Sequence, residues 1–312
     1  MNIIKVNCTF FIIALLSLSL ITTQSCKQTN SQPLAENKVT TSEQPVQKGQ
    51  QELLRSNNKY VWLNDNNFSA ENSLTNRIPT PNGYSRLSSE ANSFANWLQF
   101  LPLKPGQPKV KLYNGQNKYN QNAQYAVIDI DVGDKDLQQC ADATMRLRAE
   151  YLYSLKKYDQ ITFNFTSGDA CSFDNWSNGQ RPVIGNKVSW RYNGSKGEDY
   201  ANFKSYLQTI FTYAGTASLD KELNNVDLLD MQIGDIFIMG GFPGHAVIVI
   251  DMAENAAGEK LFMLAQSYMP AQEIHVLKNP TNKVLSPWYE LKSKGEIETP
   301  EWNFTKDHLH RF

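Results

Sequence analysis

The chain has no excess of charge of either sign: 30 Lys and Arg stand against 31 Asp and Glu in 312 residues, a formal net charge of −1. A surface so balanced lacks the electrostatic footprint of a phosphate-backbone binder, which excludes nucleic acid as the expected partner. Histidine is scarce. Of the four, His308 and His310 stand together at one end, His275 stands apart, and none has metal-ligand spacing to acids or thiols. No phosphate loop, no Rossmann glycine pattern and no Gly-x-Ser-x-Gly elbow occurs. No metal and no cofactor is therefore expected. Long apolar runs are also few: Phe10 to Ile21 is the longest, and it is too short to span a bilayer.

That run suits a signal peptide. Lys5 supplies the positive n-region, the apolar h-region follows, and Ser25 places a small residue directly before Cys26, as signal peptidase II requires. Thr23 departs from the Leu or Val usual three residues before that cysteine. The sequence predicts cleavage after residue 25 and a lipid on Cys26, so the membrane is reached through an N-terminal lipid. Residues 27 to 31 (KQTNS) carry no acidic run that would mark surface export, and the expected location is the outer membrane of the cell envelope, facing the periplasm. Residues 26–58, rich in Gln, Asn, Thr, Ser and Lys, read as a polar tether. Residues 59–312 read as a single domain.

Within that domain, Phe94, Trp97, Leu98 and Leu101 keep the i, i+3, i+4, i+7 spacing of a helix over 88–101, stopped by Pro102. The alternation in Tyr125–Val132 predicts a strand with one wet face, and Asp134 and Asp136 offer N-caps for a helix running to Lys157. A short strand at 161–165 leads to a turn-rich stretch. A second helix is expected over 198–214, with Gly215 as its stop. Strands at 234–239, 245–252, 260–266 and 273–277 follow, the middle pair joined by the Asn255–Gly258 turn. The fold class is α+β, helices followed by an antiparallel sheet.

Four cysteines are present; Cys8 leaves with the signal and Cys26 takes lipid, so Cys140 and Cys171 remain. Cys140 shares a helical stripe with Leu137, Ala141, Leu147, Tyr151 and Leu152, which leaves it open as a nucleophile, an inert core thiol or a disulfide partner of Cys171. His245 opens a strand directly after Gly244, a placement suited to proton transfer or equally to a histidine satisfied by a turn carbonyl. Trp176 and Arg181 could form a stacking and anion-pairing lip for a ligand, or simply pack on the domain. Arg146 and Arg148 sit on different sides of one helix, where a solvated or salt-bridged face is the expected role.

The stretch MQIGDIFIMGGFPGHAVIVIDMA resembles CHAP and NlpC-type cysteine hydrolases of cell-wall peptides, in which a Gly-Asp strand precedes one that begins with the catalytic histidine. The resemblance implies a papain-like or NlpC-like fold. It also implies a nucleophile at a helix N-terminus, here Cys140, with its pKa lowered by the dipole and the histidine, and a third group on LFMLAQSY, Gln266 or the weaker Ser267. The spacing departs from that pattern, with 245 − 140 = 105 residues between the two. From about residue 60 onward, DLQQCADATMRLRAEYL, FTYAGTASL, GDIFIMGGFPGHAVIVIDMA and LAQSYMPAQEIHVLKNP resemble an uncharacterised family of Bacteroidetes lipoproteins, which implies one exported domain and brings no established activity. Two functions stand: a hydrolase in which Cys140 attacks, His245 moves the proton and Gln266 holds the ring, acting on peptidoglycan; or a non-enzymatic lipoprotein that binds a glycan, peptide or partner protein.

Overall fold

The computed structural model describes residues 59–63, 68–293 and 295–312. The signal peptide, Cys26 and the tether lie outside the described residues. No described helix is long and apolar enough to cross a membrane.

Six α-helices are seen among the described residues: α1 (Leu74–Arg77), α2 (Phe94–Gln99), α3 (Cys140–Ser154), α4 (Phe173–Ser177), α5 (Tyr200–Tyr213) and α6 (Thr216–Glu222). The strands run β1 (Tyr84–Arg86), β2 (Gln124–Val127), β3 (Thr162–Asn164), β4 (Ala170–Ser172), β5 (Gln180–Ile184), β6 (Val188–Tyr192), β7 (Asn224–Asn225), β8 (Ile236–Met239), β9 (His245–Asn255), β10 (Lys260–Gln266), β11 (His275–Leu277), β12 (Tyr289–Glu290), β13 (Ile297–Glu298), β14 (Asn303–Phe304) and β15 (Leu309–Arg311). Nine of them form one antiparallel sheet in the order β2-β11-β10-β9-β8-β15-β7, with β1 added to β9 and β12 to β10. β3–β4, β5–β6 and β13–β14 are separate hairpins.

The fold is α+β, as expected, but the order of elements is more interleaved. Strand β2, from before α3, forms one edge of the sheet, and β15, from the chain end, inserts between β8 and β7. Both faces of the sheet are covered, which is why β9 reads as a continuous apolar run rather than an alternation. Ala246, Ile248 and Ile250 join the layer that includes Trp97, Leu98, Met145 and Phe203 of the helices. Val247, Val249 and Met252 join Phe237, Phe262, Phe304 and Leu309 on the other side.

Local chemistry explains where elements begin. Helix α3 starts at Cys140, later than Asp136: Gln139 is its N-cap, and Asp142 reaches back to the Gln139 amide (3.0 Å), completing a capping box. Leu137 therefore lies before the helix and is half-buried, whereas Ala141 and Leu152 are buried. Helix α3 is buried on nearly all sides, and its buried Arg146 is salt-bridged to the buried Glu150 (3.4 Å) and to Asp131 at the surface (2.8 Å). Helix α5 is capped by the Asp199 side chain. Gly215 does not simply stop it: Gly215 is the N-cap of α6, so the chain turns at once into another helix. The Asn255–Gly258 turn does join β9 to β10.

Candidate functional site

The site lies at the mouth of the β9–β10 hairpin's open end, where α3 begins. Cys140 is the first residue of α3 and is 8% exposed; His245 is the first residue of β9, and Gln266 the last of β10. The two strands run antiparallel, so a strand start and a strand end meet there. His245 Nε2 lies 2.8 Å from Gln266 Oε1. Ser267, the other third-group candidate, hydrogen-bonds instead to the carbonyls of Gln138 and Gln272.

The position of the thiol follows from the strand pattern. Val249 donates its amide to Asp235 on the β8 side, and amides alternate along a strand, so Ala246 directs its N–H toward β10. β10 ends at Gln266, and there the Ala246 N–H lies near enough to the Cys140 sulfur to favour its charged form. No hydrogen bond joins the thiol to the imidazole in this state; the ring's side-chain partner is Gln266.

Burial governs both groups. It pushes the Cys140 thiol up to about 11, against the stabilising amides of Ala246, Ala141 and Cys140 itself, with Asp142 adding to the rise. This reverses the expected lowering, because desolvation of a thiolate outweighs the helix N-terminus here. Burial likewise pulls His245 down to about 4, opposed by its bond to Gln266. At neutral pH the pair is a protonated thiol and a neutral imidazole. Both Cys140 and Cys171 are free thiols, so the disulfide alternative does not hold in this structure. Cys171 lies on β4 with its carbonyl bonded by Tyr206.

A cleft of about 390 Å³ opens over Cys140, bordered by Asp142, Phe211, Thr216, Phe242 and Met269. Phe242 is 88% and Met269 58% exposed, giving the rim an apolar character. Asp142 is buried and its second carboxylate oxygen has no partner. Gly244, just before His245, is required by packing: a Cβ there would come within 2.4 Å of Thr216 Oγ1, 2.6 Å of the Met239 carbonyl and 2.7 Å of the Gly241 carbonyl. The glycine lets the β8–β9 turn pass close beneath α6.

Several partners of His245 carry no sequence signal. Tyr268, Trp302 and Phe304 surround its ring at centroid distances of 4.8, 5.3 and 5.9 Å. Gln266 Nε2 donates to Glu301 (2.7 Å), which also receives Lys118 Nζ (2.5 Å) and Asn120 Nδ2 (3.2 Å). Lys118 Nζ is in turn 3.2 Å from His275 Nε2. Residues 118, 245, 266, 275 and 301 thus form one polar chain, assembled only by tertiary folding.

The remaining candidates lie elsewhere. Arg181 stacks 3.8 Å over the Trp176 ring, but its guanidinium donates to the carbonyls of Trp176, Gln180 and Ser195 and to Asn202 Oδ1. Trp176 is buried and bonded to the same Asn202 oxygen. The pair fastens α4 to the β5–β6 hairpin and to α5. No group of three or more metal-ligating side chains occurs among the described residues.

The fold and these residues define an α+β domain with a buried cysteine at a helix start and a buried histidine at a strand start. Residues 74–311 match the family described as Domain of unknown function (4846), and the chain belongs to that family. No curated protein and no solved structure matches.

Proposed function

We propose that this chain is a lipid-anchored protein of the cell envelope that hydrolyses amide bonds in peptidoglycan peptides, with Cys140 as nucleophile, His245 as general base and acid, and Gln266 holding the ring. The carrying observation is the 2.8 Å contact between His245 Nε2 and Gln266, which leaves Nδ1 for the thiol beside the Ala246 amide. In this reading the neutral pair reacts without a prior ion pair. As the sulfur attacks the carbonyl carbon, its proton passes to His245 Nδ1; the same proton then goes to the departing amine. Water, deprotonated by His245, cleaves the acyl-thioester and restores the thiol. The amides of Cys140 and Ala141 at the start of α3 lie beside the sulfur and favour developing negative charge there.

Incubating the mature chain with purified peptidoglycan and separating the soluble fragments tests this. Products of amide cleavage are expected, and Cys140→Ala and His245→Gln should abolish them. Equal cleavage by Cys140→Ala would overturn the assignment. A second reading, a binding lipoprotein for a glycan, peptide or partner protein, is favoured by the burial that holds the thiol protonated. Retention on peptidoglycan with no cleavage by any form of the chain would establish that one.

The anchor rests on Ser25-Cys26 after the apolar run. Cells expressing the chain should incorporate palmitate into it, and Cys26→Ala should abolish the label; unchanged labelling of that variant would end the lipoprotein assignment.

A further inference from the structure

We propose that Glu301 is a positioning residue that fixes which nitrogen of His245 carries the proton, acting through Gln266. The inference rests on the hydrolase reading for its importance to catalysis, but the tautomer follows from hydrogen-bond directions alone. An amide and a neutral imidazole can each be reversed, so His245 and Gln266 by themselves permit two arrangements. The rest of the chain removes that freedom. At its far end, His275 Nδ1 faces the Glu273 carbonyl at 2.9 Å. A carbonyl only accepts, so Nδ1 donates and Nε2 is bare, which suits it to accept from the Lys118 ammonium 3.2 Å away. Lys118 also donates to Glu301, and both side chains of this ion pair are largely buried, 5% and 13% exposed.

A carboxylate paired with an ammonium only accepts. Glu301 therefore requires that the Gln266 group facing it at 2.7 Å be the NH₂, which turns the Gln266 carbonyl toward His245. The imidazole nitrogen meeting that carbonyl must donate. Nε2 thus bears the proton, and Nδ1 carries the lone pair that a base needs. Every member has one permitted role, and the order is set by two groups that cannot reverse, a backbone carbonyl and a lysine. Asn120, at 3.2 Å, supplies a third donor to Glu301. The rings of Tyr268 and Trp302 beside His245 leave little room for the imidazole to turn over.

The test uses the full chain labelled with ¹⁵N at histidine, read by long-range ¹H–¹⁵N correlation of the imidazoles. With four histidines, the His245 signals are those lost in His245→Gln. In the unaltered chain at pH 7, His245 should be entirely the Nε2–H form; an Nδ1–H form would overturn the proposal without any variant. Lys118→Met combined with Glu301→Leu removes the ion pair without leaving a charge unpartnered, and should give a mixture of both tautomers. Glu301→Gln keeps an accepting oxygen and should restore the single form. Should the double variant not fold, Gln266→Leu cuts the same link and should give the mixture. A pure Nε2–H form in the double variant, or in Gln266→Leu where the double variant does not fold, would overturn the role of Glu301. In the double variant, peptidoglycan cleavage should fall about tenfold, the lower end of what losing a partner that orients a metal-bound histidine costs. Mixed tautomers with unchanged cleavage would leave the positioning intact and count against Cys140–His245 chemistry.

Discussion

At the scale of single residues, the sequence exposes what a side chain can do but not what burial does to it. Cys140, His245 and Gln266 stand out by residue type and by a helix start and strand ends, and the structure pairs His245 with Gln266. Their protonation was not legible, because desolvation depends on layers contributed by α5, α6 and the chain end. His245 in particular is 1% exposed and ringed by aromatics, so it contributes packing as well as chemistry. Truncation to Ala is therefore a poor probe, whereas Gln keeps volume and a donor. Asp142 gives the sharpest prediction of this kind. Burial raises its pKa well above the usual carboxylate value, opposed by the Gln139 amide. The folded chain thus holds a proton that the unfolded chain releases above about pH 4. Stability conferred by the protonated form is fully present below that pH and is lost as pH rises toward the raised value. Asn keeps an acceptor for Gln139 and does not titrate. Asp142→Asn should consequently gain stability relative to the native chain between pH 4 and pH 7, measured by urea unfolding at both. A relative loss over that interval would refute the buried-acid account.

At the scale of elements, periodicity found the helices and strands, and capping decided their ends. Strand β10 has the bounds that the sequence predicts, because Gly258 and the end of the apolar run enclose it. Helix α3 is shorter than the sequence predicts, since Asp134 and Asp136 are as plausible caps as Gln139, and only the bond from the Gln139 amide to Asp142 selects the latter. Helix α5 shows the simpler case, in which the Asp199 side chain accepts from the Asn202 amide at 3.0 Å and caps the helix. Asp199→Ala should cost about 0.5 to 2 kcal/mol by thermal or denaturant unfolding, the usual range for a lost N-cap. An effect below a few tenths would mean that packing of Phe203, Tyr206 and Ile210 sets the start of α5 without help from the cap. Short β7 and β12–β15 carry too few residues for any pattern to emerge, and they are not legible in the sequence because pairing, not propensity, defines them.

At the scale of the whole molecule, the chain end closes both the fold and the site, and no local sequence signal says so. β15 pairs with β8 on one side and β7 on the other, and Arg311 grips Asp235 through two bonds of 2.6 and 2.8 Å. Phe304 and Leu309 are fully buried in the apolar layer opposite the helices, while Glu301 and Trp302 reach the Gln266–His245 pair. Removing a buried Phe costs about 3 to 5 kcal/mol and a buried Leu about 2 to 5. Together they rival the total stability of about 5 to 15 kcal/mol typical of a domain. A chain ending at Glu298 should therefore fail to fold cooperatively, shown by loss of a sigmoidal unfolding transition in circular dichroism. Leu309→Ala alone should remain folded with a stability lower by about 2 to 5 kcal/mol, because Phe304, Arg311 and the β15 pairing stay in place. Cooperative unfolding of the shortened chain at an unchanged midpoint would show that β8 to β11 and the helices suffice, and that the end segment serves the site without supporting the sheet.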